Sequence, residues 1–311
     1  GISMQALLID SPIYIFRSYF SLPENWHSLE PKFPTHAVYG FTGFLLDLLR
    51  RQQPEYIFCA FDESLGTGFR HRLCADYKAN RELPDEALAF QLNACRQLCR
   101  VLGVSELASA EFEADDLIGS MASAVRGKNV QPVIVSRDRD LMQLVRGQDL
   151  YWDFGKSNAK GQAELEAELD LGCGQMADYL ALVGDKSDNI PGVPGIGSKT
   201  AKQMLSHFSD VEAIMSHLDQ LQDLPIRGAK KLADKLVGCL DQLQLAKQLT
   251  TITCDAKSVP SLESIEWKGI HLDAFEIFCE EMGFGSAFSR RTADLKLRQT
   301  SQYVTTQPLL K

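Results

Sequence analysis

Three short apolar runs, each closed by an aspartate, constrain this chain most. They are Gln5 to Asp10 (Gln-Ala-Leu-Leu-Ile-Asp), Glu55 to Asp62 (Glu-Tyr-Ile-Phe-Cys-Ala-Phe-Asp) and Pro132 to Asp138 (Pro-Val-Ile-Val-Ser-Arg-Asp). Apolar runs of this length read as strands buried on both faces. Helical periodicity separates them, over about Thr35 to Arg51, Glu86 to Val101 and Glu113 to Arg126. Strands alternating with helices predict an α/β fold with a mainly parallel, twisted sheet flanked by helices. Sites in such sheets lie outside the carboxyl ends of the strands. The three aspartates are therefore expected in one crevice.

A second stretch carries chemistry. Gly184 to Pro191 reads Gly-Asp-Lys-Ser-Asp-Asn-Ile-Pro, with Asp185 and Asp188 three positions apart. Gly192 to Ala201 follows as a glycine-rich hairpin that opens a helix and carries Lys199 and Lys202. Its glycines, Gly192, Gly195 and Gly197, permit close approach of another backbone, and N–H groups exposed at a helix start suit a phosphate. An acidic pair able to hold a divalent cation, joined to a phosphate site, points to an enzyme that cuts nucleic-acid backbones.

The candidate ligands are Asp10, Asp62, Glu113, Asp115, Asp116, Asp138, Asp140, Asp185 and Asp188. Glu113 and Asp116 share a face at a predicted helix start, and Asp115 lies on the adjoining face. Taken singly, such acids have ordinary uses. First-turn carboxylates favour the helix macrodipole, and Asp138 with Asp140 would serve as a turn and an N-cap. Gathered in one crevice they would repel one another unless cations neutralised them. Oxygen-only donors suit Mg²⁺ or Mn²⁺ rather than zinc, and two such ions ~4 Å apart are the usual clamp for phosphodiester hydrolysis. The six histidines are scattered and offer no rival site.

Glu63 to Pro84 is polar and basic, with Arg70, His71, Arg72, Lys78 and Arg81 interleaved with Phe69 and Tyr77. A stretch this long between a strand and a helix reads as a functional loop. From Ala177 onward the pattern is helical almost throughout, with a basic segment at Arg227, Lys230, Lys231 and Lys235. The net charge of −9 does not veto a nucleic-acid partner, because the acids cluster apart from these bases. Hydrophobic residues make up 45%, and no run approaches the ~20 residues of a membrane span. Eight cysteines without Cys-x-x-Cys spacing read as reduced thiols of a cytosolic protein. Gly1-Ile2-Ser3 reads as an expression remnant, and Gln299 to Lys311 as a frayed tail or linker stub.

In this order, the landmarks resemble the 5′-nuclease (flap endonuclease) superfamily, most closely the bacterial 5′–3′ exonuclease domain that begins DNA polymerase I. They are Leu-Leu-Ile-Asp with Phe16-Arg17, Phe61-Asp62, Tyr77-Lys78-Ala79-Asn80-Arg81, Glu113-Ala-Asp-Asp-Leu-Ile-Gly, Asp138-Arg-Asp-Leu-Met-Gln-Leu-Val and the Gly184 to Ala201 stretch. The resemblance covers nearly everything from Ala6 to about Arg290. It implies a nuclease core over 4–175, with a helical arch at 64–90, a helix-hairpin-helix DNA-binding region over 176–290, and a tail at 291–311. It also implies a structure-specific nuclease of DNA replication or repair, acting on 5′ flaps and duplex 5′ ends and accepting RNA primers.

By the resemblance, two Mg²⁺ or Mn²⁺ ions act. The first would be held mainly by Asp10, Asp62, Glu113 and Asp115, and the second mainly by Asp116, Asp138, Asp140, Asp185 and Asp188, often through water, with a bridging Asp115 as the alternative. Lys78, Arg81 and Arg17 would be catalytic, with Lys78 and Arg81 on the scissile phosphate. Tyr77 would stack on a base, or else pack against the arch. The main-chain carbonyls of Val193 and Ile196 would hold K⁺, and Gly192, Gly195, Gly197, Lys199 and Lys202 would meet the duplex backbone. A monomer in the bacterial cytoplasm, associated with the nucleoid, is expected, either as a stand-alone protein or as an excised polymerase domain. Two departures stand out. Ser11-Pro12 follows the first aspartate where the family has Gly, which puts the geometry at Asp10 in question. Ser136-Arg137 precedes Asp138 where the family often has Gly beside the Asp, adding a guanidinium beside the expected metal site. Rival readings are a non-catalytic binder of branched DNA and a shorter PIN-like ribonuclease.

Overall fold

The computed structural model describes residues 4–63 and 66–298. Gly1 to Ser3, expected to be an expression remnant, the first two residues of the expected arch and the expected tail from Gln299 lie outside those described. The expected sheet is present. Strands β1 (Gln5–Asp10), β2 (Tyr56–Asp62), β3 (Ser105–Ser109), β4 (Gln131–Val135) and β5 (Leu150–Trp152) form one sheet in the order β3-β2-β1-β4-β5. Every pairing in it is parallel. β1 occupies the centre, so its apolar run is covered by strands on both edges and by helices on both faces.

Alternation along the strands divides the core in two. Leu7, Ile9, Ile57, Cys59, Phe61, Val133 and Val135 face one side. There they meet α1 (Ser11–Ser21), α2 (His36–Gln52) and α4 (Glu86–Val101). Ala6, Leu8, Phe58, Ala60 and Ile134 face the other side and meet α5 (Ala114–Arg126). α2 buries Ala37, Val38, Phe41, Leu45, Leu48 and Leu49, the three-and-four spacing of a helix laid on a sheet. Pro12 falls in the first turn of α1, where a missing N–H has no helical partner to lose. The departure after Asp10 is therefore accommodated as a helix start.

After the short α3 (Phe69–Leu73) and α6 (Gln162–Leu169), the chain builds a separate apolar core. It uses α7 (Met176–Val183), α8 (Ser198–His207), α9 (Val211–Ser216), α10 (Ala229–Val237) and α11 (Leu240–Thr250). A two-stranded antiparallel hairpin, β6 (Gly184–Asp185) with β7 (Ile190–Pro191), joins α7 to the glycine-rich loop before α8. The helical pattern expected from Ala177 onward runs through α7 to α11 and breaks off at Thr250. Ile252 and Ile265 return to the sheet core on the α5 side, and Trp267, Ile270 and the helix α12 (Leu272–Glu281) to the other. Gly103 fixes this return: with φ +73° it lies so close to the backbone of Gly269 that a Cβ would sit 2.1 Å from the carbonyl oxygen.

Among the described residues no helix is long and apolar enough to cross a membrane. All eight cysteines are free.

The central strand positions Asp10 through its buried neighbour Ile9. Ile9→Ala should lower the unfolding free energy by about 2–5 kcal/mol, the range for a buried aliphatic truncation. Urea titration followed by circular dichroism measures this.

Candidate metal centre and its cation frame

The carboxyl ends of the strands deliver the acids. Asp10 closes β1 and Asp62 closes β2. Asp138 caps a 3-10 turn after β4 that contains Asp140, accepting a bond from the Asp140 N–H at 2.9 Å. Glu113 caps α5, and Asp115 sits in its first turn. Asp185 and Asp188 come from the hairpin of the helical region. Together they line a crevice of about 520 Å³.

Within this set two groups have ligand oxygens all within 4.8 Å of one another: Asp10, Asp115 and Asp138, and Asp140, Asp185 and Asp188. The division differs from the one expected, because Asp138 joins the first group. Asp62 and Glu113 line the crevice but stand outside both groups. Asp62 accepts from the Ala114 N–H at 2.7 Å. Glu113 is taken up by Lys78, by the Tyr77 hydroxyl at 2.8 Å and by Arg70 at 2.7 Å.

Asp116 is placed elsewhere. It is fully buried and grips Arg70 through both oxygens, at 2.6 and 2.8 Å, while accepting from the N–H groups of Glu113 and Thr253. It is a structural anion. Arg70 also donates to the carbonyls of Leu249 and Thr251. This basic residue of the expected arch is therefore a buried tie between the start of α5 and the end of α11.

The arch segment is stitched to the hairpin. The Lys78 N–H donates to the Asp188 carbonyl at 2.8 Å, Asn80 to that of Lys186, and Arg81 to that of Ser187 and to the Asp188 carboxylate at 2.6 Å. Asn189 returns a bond to Asp76. Lys78 and Asn189 both hold positive φ, +54° and +58°. Such backbone in non-glycine residues collects at functional sites.

Other expected roles are corrected by position. Tyr77 is only 3% exposed and packs in the helical core, so no ring face is free to stack on a base. Arg17 does not line the crevice; its guanidinium lies over the Tyr14 ring at 4.8 Å and 4.0 Å from Asp153. Arg137 likewise turns toward Asp153. Gly192 lacks a side chain because a Cβ there would lie 2.3 Å from the Val183 carbonyl oxygen, a demand of internal packing. Gly197, the N-cap residue of α8, is open to its surroundings, and Lys199 beside it is exposed. Lys202 is half-buried over the Tyr179 ring. Val193 and Ile196 are buried, and the Val193 carbonyl accepts from the Ile196 N–H.

Electrostatics define what the site needs. Two carboxylates ~4 Å apart repel by about 4 kcal/mol at an effective dielectric near 20. Burial, then the repulsion of Asp138 and its neighbours, pushes Asp10 up to about 8 and Asp140 likewise to about 8. Asp188 rises to about 6, mainly through burial. Asp115 lies well above the usual range for the same reason, with Asp10 and Asp138 adding to it. Glu113 moves the other way: burial would raise it, but Lys78 and Arg70 hold it down. Lys78 is raised in turn, because Glu113, Asp62 and Asp188 outweigh its own burial. Among the described residues, eight carboxylates line the crevice against five basic side chains, a deficit of about three charges at full ionisation. Oxygen-only donors in two groups, still short of positive charge, fit two hard divalent cations.

Sequence reasoning missed Ser136. Its hydroxyl donates to Asp10 Oδ2 at 2.7 Å and accepts from the Asp138 N–H at 3.0 Å, joining the end of β1 to the turn after β4. The only sequence signal is its place between a strand and an aspartate.

Residues 5–169 match the family described as 5′–3′ exonuclease, N-terminal resolvase-like domain, and residues 172–273 its C-terminal SAM fold. The 5′–3′ exonuclease of Buchnera aphidicola is 32% identical over 263 residues, covering 84% of this chain and 91% of that protein. DNA polymerase I of Bacillus subtilis is 31% identical over 296 residues, 93% of this chain but 32% of the polymerase. The chain thus spans about a third of the length of such polymerases. Among solved structures, T5 5′-exonuclease with bound divalent metal ions (zinc) superposes with a TM-score of 0.63 at 19% identity, over 89% of this chain and 98% of that one. The catalytic core of Rad2 in complex with DNA substrate gives 0.61 at 15%, over 94% and 91%. At these identities the superpositions show a shared fold.

Two outcomes are expected. Between about pH 4 and 8 the folded metal-free protein binds more protons than the unfolded chain, because Asp10 and Asp140 carry raised values. Its stability should fall as pH rises through that window. Added Mg²⁺ should offset the loss most at the upper end, which thermal melts at several pH values measure. Ser136→Ala should weaken Mn²⁺ binding about 10–100-fold, as loss of an outer-shell partner does, with Ser136→Thr restoring it. Calorimetric titration reads both.

Proposed function

The chain belongs to the 5′–3′ exonuclease family, and on that premise we propose that it hydrolyses phosphodiesters of DNA at 5′ flaps and duplex 5′ ends. The observation that carries this reading is the pair of carboxylate groups facing Lys78 and Arg81 across one crevice. Asp10, Asp115 and Asp138 would hold one divalent ion and Asp140, Asp185 and Asp188 the other, Mg²⁺ or Mn²⁺ by donor type. Bound there, the ions supply an activated nucleophile and neutralise charge on the leaving oxygen.

The chain's own residues do the rest. Ser136 fixes the rotamer of Asp10, and Asp62 stays anchored to the start of α5. Lys78 and Arg81 neutralise Glu113 and Asp188 before substrate arrives. With a phosphate in the crevice, the same two side chains would turn to it and stabilise its developing charge. Glu113 keeps Tyr77 and Arg70 as partners throughout.

The hairpin supplies substrate grip. The Gly197 turn and Lys199 would approach a duplex backbone with no base readout, and Lys202 would support them. K⁺ on the carbonyls of Val193 and Ile196 would add charge there. Recognition then follows DNA structure, and RNA primers on DNA would be accepted by the same backbone contacts. A monomeric protein acting beside replication or repair in a bacterial cytoplasm fits this reading.

The test is cleavage of labelled flap, nicked and single-stranded substrates in Mg²⁺. Flaps and nicks should be cut, leaving a 5′-phosphate. Asp115→Asn should remove most hydrolysis with the fold intact. Lys78→Ala should slow single-turnover cleavage by about 10²–10³-fold, the scale of one lost transition-state donor, while flap affinity changes far less. Wild-type rates in Asp115→Asn would sink the metal assignment, and equal losses of rate and affinity would reduce Lys78 to a binding contact.

A further inference from the structure

The metal centre and the hairpin stand on different cores, and a cut at one defined phosphodiester needs them at a fixed distance. The turn that carries Asp138 and Asp140 packs Leu141 and Leu144 on the sheet core. α8, which follows the Gly197 turn, packs Ala201 and Leu205 in the helical core. Successive phosphates of one duplex strand are only ~3.4 Å apart along the helix axis. A grip displaced by that much presents the neighbouring bond to the ions.

Tyr179 touches both parts. It lies on α7 with its ring buried in the helical core. Its hydroxyl donates to the Ser198 hydroxyl at 2.9 Å, and Ser198 is the first residue of α8, next to Gly197. The Arg139 guanidinium lies 5.8 Å from the centroid of the same ring, and the Lys202 ammonium also 5.8 Å from it. Cations at that range are drawn to the face of an aromatic ring. Arg139 stands between Asp138 and Asp140 in sequence and lines the crevice. Those two acids belong to different carboxylate groups. One side chain thus meets the residue between the two candidate ion sites and the first two turns of the hairpin helix.

Core packing alone does not call for this residue. A phenylalanine ring would fill the same space, and a buried hydroxyl costs stability unless it is bonded. Among the described residues that hydroxyl bonds to Ser198, which is itself exposed at the end of α8 that faces a phosphate in the reading above. α7 also leads directly into β6, which ends on Asp185 of the second carboxylate group. The helix that carries Tyr179 is therefore tied to both groups, to one through Arg139 and to the other through the chain itself.

We infer that Tyr179 is a positioning residue that selects which phosphodiester is cut, by holding the start of α8 through Ser198 and the Asp138–Asp140 turn through Arg139. It acts through those neighbours and touches no substrate. This rests on the cleavage proposed above.

The experiment maps cleavage of an end-labelled 5′-flap DNA at nucleotide resolution, in Mg²⁺ and under single turnover. It compares the wild type with Tyr179→Phe, Ser198→Ala, the two combined, and Ser198→Thr, with Mn²⁺ affinity measured by calorimetry for each. The wild type should give one main product. In Tyr179→Phe the ratio of neighbouring products to the main one should rise about 2–10-fold, the range for one lost hydrogen bond. Ser198→Ala should give the same rise and the combined variant no more than either. Ser198→Thr keeps the hydroxyl and should cut like the wild type. Mn²⁺ affinity should hold throughout. Lost stability alone would lower the active fraction and leave the product ratio unchanged. An unchanged ratio in Tyr179→Phe and Ser198→Ala, rises that multiply in the combined variant, or a rise that comes with weaker Mn²⁺ binding overturns this inference and leaves the cleavage reading standing. A wild type that leaves the flap uncut overturns both.

Discussion

Mutual repulsion among the crevice carboxylates is the constraint on which the rest of the structure depends. Parallel strands covered on both faces end at one edge, and their closing acids have nowhere else to go. An apolar sheet core behind Asp10 raises the cost of ionising it. The chain responds locally by bringing cations in: Lys78 to Glu113, Arg81 to Asp188, Arg70 to Glu113 and Asp116. The remaining deficit is what divalent ions fit.

The same charges hold the two cores together. Tyr77 packs among the helices of the second core while its hydroxyl meets Glu113 at the start of α5. Arg70 ties Asp116, on α5, to the end of α11. The segment from Asp76 to Arg81 bonds to the Lys186–Asn189 turn beside the crevice. The bonds that assemble the site also dock the helical region.

Much of this was legible in the sequence because buried parallel strands leave an unbroken apolar signal. β1, β2 and β4 were visible, and with them Asp10, Asp62 and the Asp138 turn. β3 and β5 were not. They are the sheet edges, and Ser-Glu-Leu-Ala-Ser or three residues of Leu-Tyr-Trp carry too little apolar contrast. Asp115 and Asp116 are neighbours of the same type, and only a partner distant in sequence, Arg70, separates ligand from structural anion. Tyr77 and Arg17 went astray for a related reason. A motif fixes residue type and spacing, while exposure depends on which core closes over the side chain. Gly192 and Gly195 show the same ambiguity, since glycine serves internal backbone contact, a neighbouring lysine or a ligand equally well.

The central claim is that two cation sites are built from two particular carboxylate groups. Anomalous scattering from crystals equilibrated with Mn²⁺ tests it most directly. The account predicts two peaks, one ligated by Asp10, Asp115 and Asp138 and one by Asp140, Asp185 and Asp188, with Asp116 still on Arg70. A single peak, or ions seated on Asp116 with Arg70 displaced, would contradict it.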